Sequence, residues 1–182
     1  MNIEQQNNII DFWFSDYAND KWFAKNEEFD TYIRDNFFSL YETEVDNFHI
    51  NKVTNPEAAL SYILIFDQFP RNMFRGSKQA FATDNIALAI AKNTVRLKYD
   101  LNCTIIQRKF LYMPFMHSED LADQEMSVEL FSRLDDELSL DFAIRHKRII
   151  EMFNRFPHRN HILERTSTEE EIEFLKHSES SF

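Results

Sequence analysis

Residues 55–76, NPEAALSYILIFDQFPRNMFRG, decide the fold. Asn55-Pro56 reads as an N-cap and first helical residue, because proline's missing N–H costs nothing there and its φ is already helical. From Ala58 to Phe66 the side chains are apolar almost all round, which predicts a helix buried on every side. Pro70 removes a backbone donor and disfavours helix at Phe69, so the pattern predicts that this helix stops there. Gly76 then marks a place where the backbone needs a positive φ.

Gly76 is the only glycine of 182 residues. Phosphate loops and dinucleotide fingerprints need several glycines for close backbone approach, so both are excluded. Hairpins with primed turns are disfavoured for the same reason. What remains is helical. Phe29, Ile33, Phe37, Leu40, Tyr41, Val45 and Phe48 keep helical spacing from about 27 to 48, with Asn26 placed to cap. Asp84 is placed to cap the helix of Ile86, Ala87, Ile90 and Ala91, and Thr104 the helix through Leu111. Ser118 is expected to start a helix running to about Leu134, with Glu119 and Asp120 in its first turn. Another covers roughly 139–154, and Ser167 with Glu170 has capping-box spacing for the last. The expectation is an all-α array of seven or eight helices in a single domain, 1–182, with an acidic tail from about 177. The 19 phenylalanines predict an aromatic core, with Phe12-Trp13-Phe14 and Trp22-Phe23 as anchors.

The formal charge is −11, and it is uneven. Residues 1–50 hold 11 acidic and 3 basic side chains, residues 166–182 hold 5 and 1, and residues 51–165 are nearly balanced at 15 and 16. An acidic exterior argues against nucleic acid as partner, while the balanced middle leaves room for a positive pocket. The longest apolar run, around Ala58 to Phe66, is too short to span a bilayer, and MNIEQQNNII lacks the basic start of a signal peptide. The lone Cys103 excludes an internal disulfide and a cysteine zinc cluster, and fits a reducing cytoplasm.

Three polar clusters could carry chemistry. In the first, Asp67 and Arg71 are spaced for a local ion pair, Asn72 can cap, and Arg71 and Arg75 can offer guanidinium forks to a carboxylate or phosphate. The bland alternative is a polar knot tying two helices. In the second, Arg108 and Tyr112 lead to His117 at a helix junction beside Glu119, with Gln124 on the next turn. A histidine held by a carboxylate can act as general base, or it can merely cap a helix. In the third, Arg155, His158, Arg159, Asn160 and His161 follow His146. The His158/His161 pair lacks any motif typical of zinc sites, so no metal or other cofactor is expected. Residues 65–72, IFDQFPRN, echo 152–160, MFNRFPHRN, each at the end of an apolar-rich helix. Facing turns of this kind would join Arg71 and Arg75 with Arg155 and Arg159 in one anion site.

Together DFWF (11–14), WF (22–23), DQFPRNMFRG (67–76), AFATD (80–84), RKFLYMPFMHSED (108–120), DQ (123–124) and FPHRN (156–160) resemble the bacterial domain-of-unknown-function family 924, from Asp11 to about Leu175. The resemblance implies an all-helical, tetratricopeptide-like fold and no assigned activity. Its motifs are rich in polar residues (Asp67, Gln68, Arg71, Asn72, Arg75, Asp84, Arg108, Tyr112, His117, Ser118, Glu119, Asp123, Gln124, His158, Arg159, Asn160), which favours a site over mere packing. Glu164 stands where the family usually has glycine. The leading expectation is a cytoplasmic protein that binds a small anionic ligand or acidic peptide through an Arg/His-lined groove. The alternatives are a hydrolase or transferase on a phosphorylated or carboxylated metabolite, with His117 and Glu119 moving protons, and a scaffold for a protein partner.

Overall fold

The computed structural model describes residues 1–177. The acidic tail expected from about residue 177 lies, past that position, outside the described residues. Every regular element among those residues is helical. The α-helices are α1 (Ile3–Trp13), α2 (Asp16–Asn19), α3 (Glu27–Asn47), α4 (Pro56–Ile63), α5 (Phe69–Met73), α6 (Asp84–Arg96), α7 (Ile105–Met116), α8 (Leu121–Phe131), α9 (Glu137–Phe153) and α10 (Glu169–Phe174). Short 3₁₀ turns lie between several of them. No helix among the described residues is long and apolar enough to cross a membrane.

Three expected helix starts are present, each with its side chain on the orphan N–H three residues on. Asn26 accepts from Phe29 at 2.9 Å, and Asn55 accepts from Ala58 at 2.7 Å ahead of Pro56. Thr104 accepts from Gln107 at 3.3 Å, while the Gln107 side chain returns to the Thr104 N–H at 3.0 Å. Three others shift. At α6 the N-cap residue is Thr83, and Asp84 is the first helical residue. At α8 the cap is Asp120, not Ser118, because Ser118 Oγ accepts the Asp120 N–H at 3.2 Å and donates to Asp123 at 2.9 Å, fixing the approach to the helix. The last capping box is Thr168 with Glu171, one residue later than Ser167 and Glu170, since Ser167 Oγ is taken by Asn160 Nδ2 at 3.1 Å.

The buried helix does not stop at Pro70. Leu64–Gln68 form a π-helical turn that joins α4 to α5, so the chain stays helical through proline to Met73. A π turn widens the ladder by one residue, with Phe69 N–H reaching Leu64 O, and this accommodates a residue that has no N–H to give. In an α-helix the N–H of residue 70 would serve the Phe66 carbonyl. Thr83 Oγ1 takes its place at 2.6 Å. The next two carbonyls also hold side chains, Arg71 on Asp67 O at 2.5 Å and Asn72 on Gln68 O at 3.1 Å. Asn72 therefore bonds back into its own helix instead of capping a new one. Buried carbonyls seldom go unpaired, and here side chains add donors of their own to three successive carbonyls.

The described residues form two compact units. The first comprises 1–75 with 79–114, and the second comprises 76–78 with the described residues from 115. In the first, every residue from Ala58 to Gln68 is buried, and Trp13, Phe29, Phe69 and Phe110 are fully buried as well. Trp13 packs against Phe69 and edge-on against Phe110, and Phe37 against Phe69. Phe23 is no core anchor, since it is 76% exposed. In the second unit α8 packs along α9, and Ile149, Ile150 and Phe156 form an apolar cluster flanked by Phe153 and Phe174. Gly76 does sit at positive φ, 78°, and Glu164 adopts the same left-handed region at 56°. The glycine usual at that position would hold this conformation without strain.

Candidate functional site

Within the first unit the predicted site residues form two clusters, and within the second they form one. Around the π turn, Arg71 reaches Asp84 with both arms, at 3.0 and 3.1 Å, and lies 3.3 Å from Asp67. The expected Asp67–Arg71 ion pair is thus present, and Asp67 is fully buried. Gln68 Nε2 donates to Asp67 at 2.5 Å and lies 3.4 Å from Met113 Sδ. Arg75 grips Asp30 with two bonds of 2.6 and 2.8 Å and adds Asn72 Oδ1 at 3.2 Å. Arg34 closes the end of α5 on Met73 O at 2.7 and 3.1 Å. Burial opposes the Arg71 charge, but Asp67 and Asp84 outweigh it and raise its pKa. Both guanidinium forks are therefore engaged by carboxylates of the same unit, a geometry that joins α3, α5 and α6.

Arg108 and Tyr112 lie on α7 and serve a different turn. Arg108 donates to the carbonyls of Asp100, Leu101 and Cys103 at 2.9, 3.0 and 3.1 Å. Tyr112 donates to the buried Asp100 carboxylate at 2.7 Å. Between them they hold the 3₁₀ turn Tyr99–Asn102 against α7.

The second unit gathers the remaining candidates around Phe156. Here α9 does end, at Asn154, which adopts φ 55° and returns its N–H to Ile150 O at 2.8 Å. The two echoing segments thus have different backbones, since the first runs on through a π turn and the second turns off into the 3₁₀ helix Pro157–Arg159. Glu119 Oε1 accepts the Phe156 N–H at 2.7 Å, and Arg165 holds the Glu119 carboxylate at 2.7 and 3.0 Å while also donating to Phe156 O at 3.2 Å. Burial alone would raise the Glu119 pKa, but Arg165 and the Phe156 N–H outweigh it and hold the group ionised. Both Glu119 oxygens are so engaged.

The far side of the same turn is fixed by Glu171, which is only 2% exposed. Arg155 binds it at 2.6 and 2.7 Å, and Asn160 Nδ2 and the Thr168 N–H complete its shell at 3.2 and 2.7 Å. Arg155, with help from Thr168 and Asn160, brings its pKa down to about 2. Within this frame His146 meets the Phe156 ring edge-on at 5.5 Å, His158 is tilted against it at 5.6 Å, and the Arg159 guanidinium stands 4.5 Å from its centre. Arg159 is 7% exposed. His146 lies 2.8 Å from Phe142 O through Nδ1. Burial, reinforced by His117, Arg159 and His158, lowers its pKa to about 3. Gln124 Nε2 binds the carbonyls of Met116 and Ser118 at 2.7 and 2.6 Å, locking the chain that carries His117.

Among the described residues, no group of three His, Cys, Asp or Glu side chains is placed to hold a metal ion. The model of a family described as bacterial protein of unknown function (DUF924) matches residues 9–179. The chain belongs to this family. As a family member it is also similar to a solved structure, that of a protein of unknown function from Agrobacterium tumefaciens. The identity is 37% and the TM-score 0.89, over 95% of this chain and 97% of that one. No curated protein matches.

The partners that organise these clusters were not among the sequence candidates. Asp30, Thr83, Asp100, Arg165 and Glu171 stand between 8 and 46 positions from the groups they hold. No local spacing rule reaches that far. Arg165 had one available signal, as an arginine close behind a cluster of polar residues.

Proposed function

We propose that this family member is a cytoplasmic binding protein for a small anionic ligand, a carboxylate or phosphate ester, recognised by the Phe156 turn. The observation that carries the reading is the set of His146, His158 and Arg159 on one aromatic ring. Residues 154–163 contain two arginines, two histidines and no acid, in a chain of charge −11. Glu119 and Glu171 are engaged by Arg165 and Arg155 respectively. A guanidinium stacked on an aromatic face keeps its edge donors in plane for a planar or tetrahedral anion. Glu119 acts here as a positioning residue that holds the Phe156 backbone.

Thermal melts with inorganic phosphate, pyrophosphate and citrate test the proposal. At least one anion raises the melting temperature in proportion to the logarithm of its concentration. Arg159→Gln abolishes the rise, as does His158→Asn in a protein whose unliganded melt is unchanged. Absence of any anion-dependent rise, or its survival in both variants, would overturn the reading.

A further inference from the structure

We infer a second binding site, for a neutral hydroxyl-rich ligand of sugar size, in the groove between α1 and α3. It lies wholly within the first unit and is independent of the Phe156 turn. The two helices run antiparallel and are fastened at both ends. At one end Phe12 of α1 stacks on Tyr32 of α3 and lies tilted against Phe37, with centroids 5.0 and 5.1 Å apart. At the other the N-terminal amine is bound by Glu44. Between these fastenings the helices leave a groove of about 450 Å³, within the range of small-molecule sites.

The walls of the groove are the solvent-facing edges of the two helices, and they carry Gln5 and Asn8 from α1 and Asn36, Ser39 and Thr43 from α3. Those five are uncharged, although residues 1–50 hold 11 acids against 3 bases. Glu44, which also borders the groove, is turned to other work. Its carboxylate receives Lys52 at 3.1 Å and Tyr62 at 3.0 Å besides the terminal amine, which together lower its pKa against the effect of burial.

The hydrogen-bonding capacity is mixed. Asn36 spends its Nδ2 on Tyr32 O at 2.8 Å, which leaves Oδ1 to accept. Thr43 donates to Ser39 O at 2.8 Å, which leaves lone pairs on its oxygen. Gln5 Oε1 takes the Asn2 N–H at 2.9 Å, which leaves its Nε2 to donate. Asn8 offers donor and acceptor from one amide, and Ser39 from one hydroxyl. Phe37 and Leu40 supply an apolar floor. Paired donors and acceptors over an apolar floor match a sugar ring, whose hydroxyls both give and accept while its C–H face is apolar. A charged ligand finds no counter-ion here.

Saturation-transfer NMR on the full chain with glucose, maltose, trehalose and myo-inositol tests the assignment. At least one of these shows transfer, and the fitted affinity falls tenfold or more in Asn8→Leu and in Ser39→Phe, two exposed positions where the new side chain fills the groove. The Arg159→Gln protein binds the same sugar unchanged. If none of the four shows transfer, or if both groove-filling variants bind as well as the parent, the inference is wrong.

Discussion

Replacing Thr83 by valine removes one hydroxyl from the centre of the first unit and keeps the shape of the side chain. Thr83 and Phe66 are both buried, and the bond between them is 2.6 Å long. Leaving a buried carbonyl without a donor costs about 1–3 kcal/mol. The Tyr41 hydroxyl, whose pKa burial pushes up, also has Thr83 as a hydrogen-bond partner, so a second buried group loses a partner and the cost moves to roughly 2–3 kcal/mol. The π turn adds a sharper expectation. Thr83 serves the Phe66 carbonyl, which in an α-helical register would receive the N–H of residue 70, and residue 70 lacks one because it is proline. Pro70→Ala restores that N–H. In the Pro70→Ala background Thr83→Val then costs at least about 1 kcal/mol less than in the parent, a coupling readable in a double-mutant cycle. Urea unfolding followed by circular dichroism, on the four proteins of the cycle, supplies the numbers. Equal costs in both backgrounds, or a Thr83→Val cost below about 0.5 kcal/mol in the parent, would refute the reasoning.

Other consequences follow from single residues. Glu164→Gly relieves a left-handed backbone, φ 56°, and stabilises the protein by about 1 kcal/mol in the same urea titration, whereas Glu164→Val destabilises it. His146 is held neutral in the folded state, with its pKa lowered to about 3, while the unfolded chain takes up a proton near pH 6.5. Stability is therefore lost as pH falls from about 6.5 towards 3, by about 2 kcal/mol between pH 7 and 5, and His146→Gln flattens that slope in urea titrations at the two pH values. Glu171, held at about 2 in the folded state, contributes stability above its unfolded value near 4.3 that disappears as pH falls through the interval down to about 2; acid titration of Glu171→Gln, monitored by circular dichroism, shows a correspondingly weaker dependence there. Arg71→Lys keeps the charge but loses the two-armed grip on Asp84 and costs about 1–2 kcal/mol, read as a shift in the urea midpoint.

Much of the fold is legible in the sequence because its signals are local. Asn26, Asn55-Pro56 and Thr104 each act on an N–H three residues away, and the apolar run from Ala58 to Phe66 identifies the buried helix without reference to its neighbours. Pro70 is misread for a definite reason. Proline stops a helix when the carbonyl it orphans has no other donor, and whether Thr83 supplies one depends on tertiary structure. The candidate site is legible by residue type but not by role. Arg71, Arg75 and Arg155 are the residues a carboxylate-binding site needs, yet Asp84, Asp30 and Glu171 occupy them. Only the folded chain shows which carboxylate each of these arginines holds, and that Arg159 lies over the Phe156 ring.

The side-chain donors on the π turn bear on the order in which the chain assembles. Its first two turns, Pro56–Ile63, are complete with local bonds and an Asn55 cap, and can form early. The segment from Leu64 to Met73 is finished only when Thr83 has come back across 17 residues to the Phe66 carbonyl. Loop closure of that kind precedes the contact that rewards it. The second half of the central helix therefore belongs kinetically with α6 rather than with α4, and substitutions at Thr83 are expected to change the unfolding rate more than the folding rate.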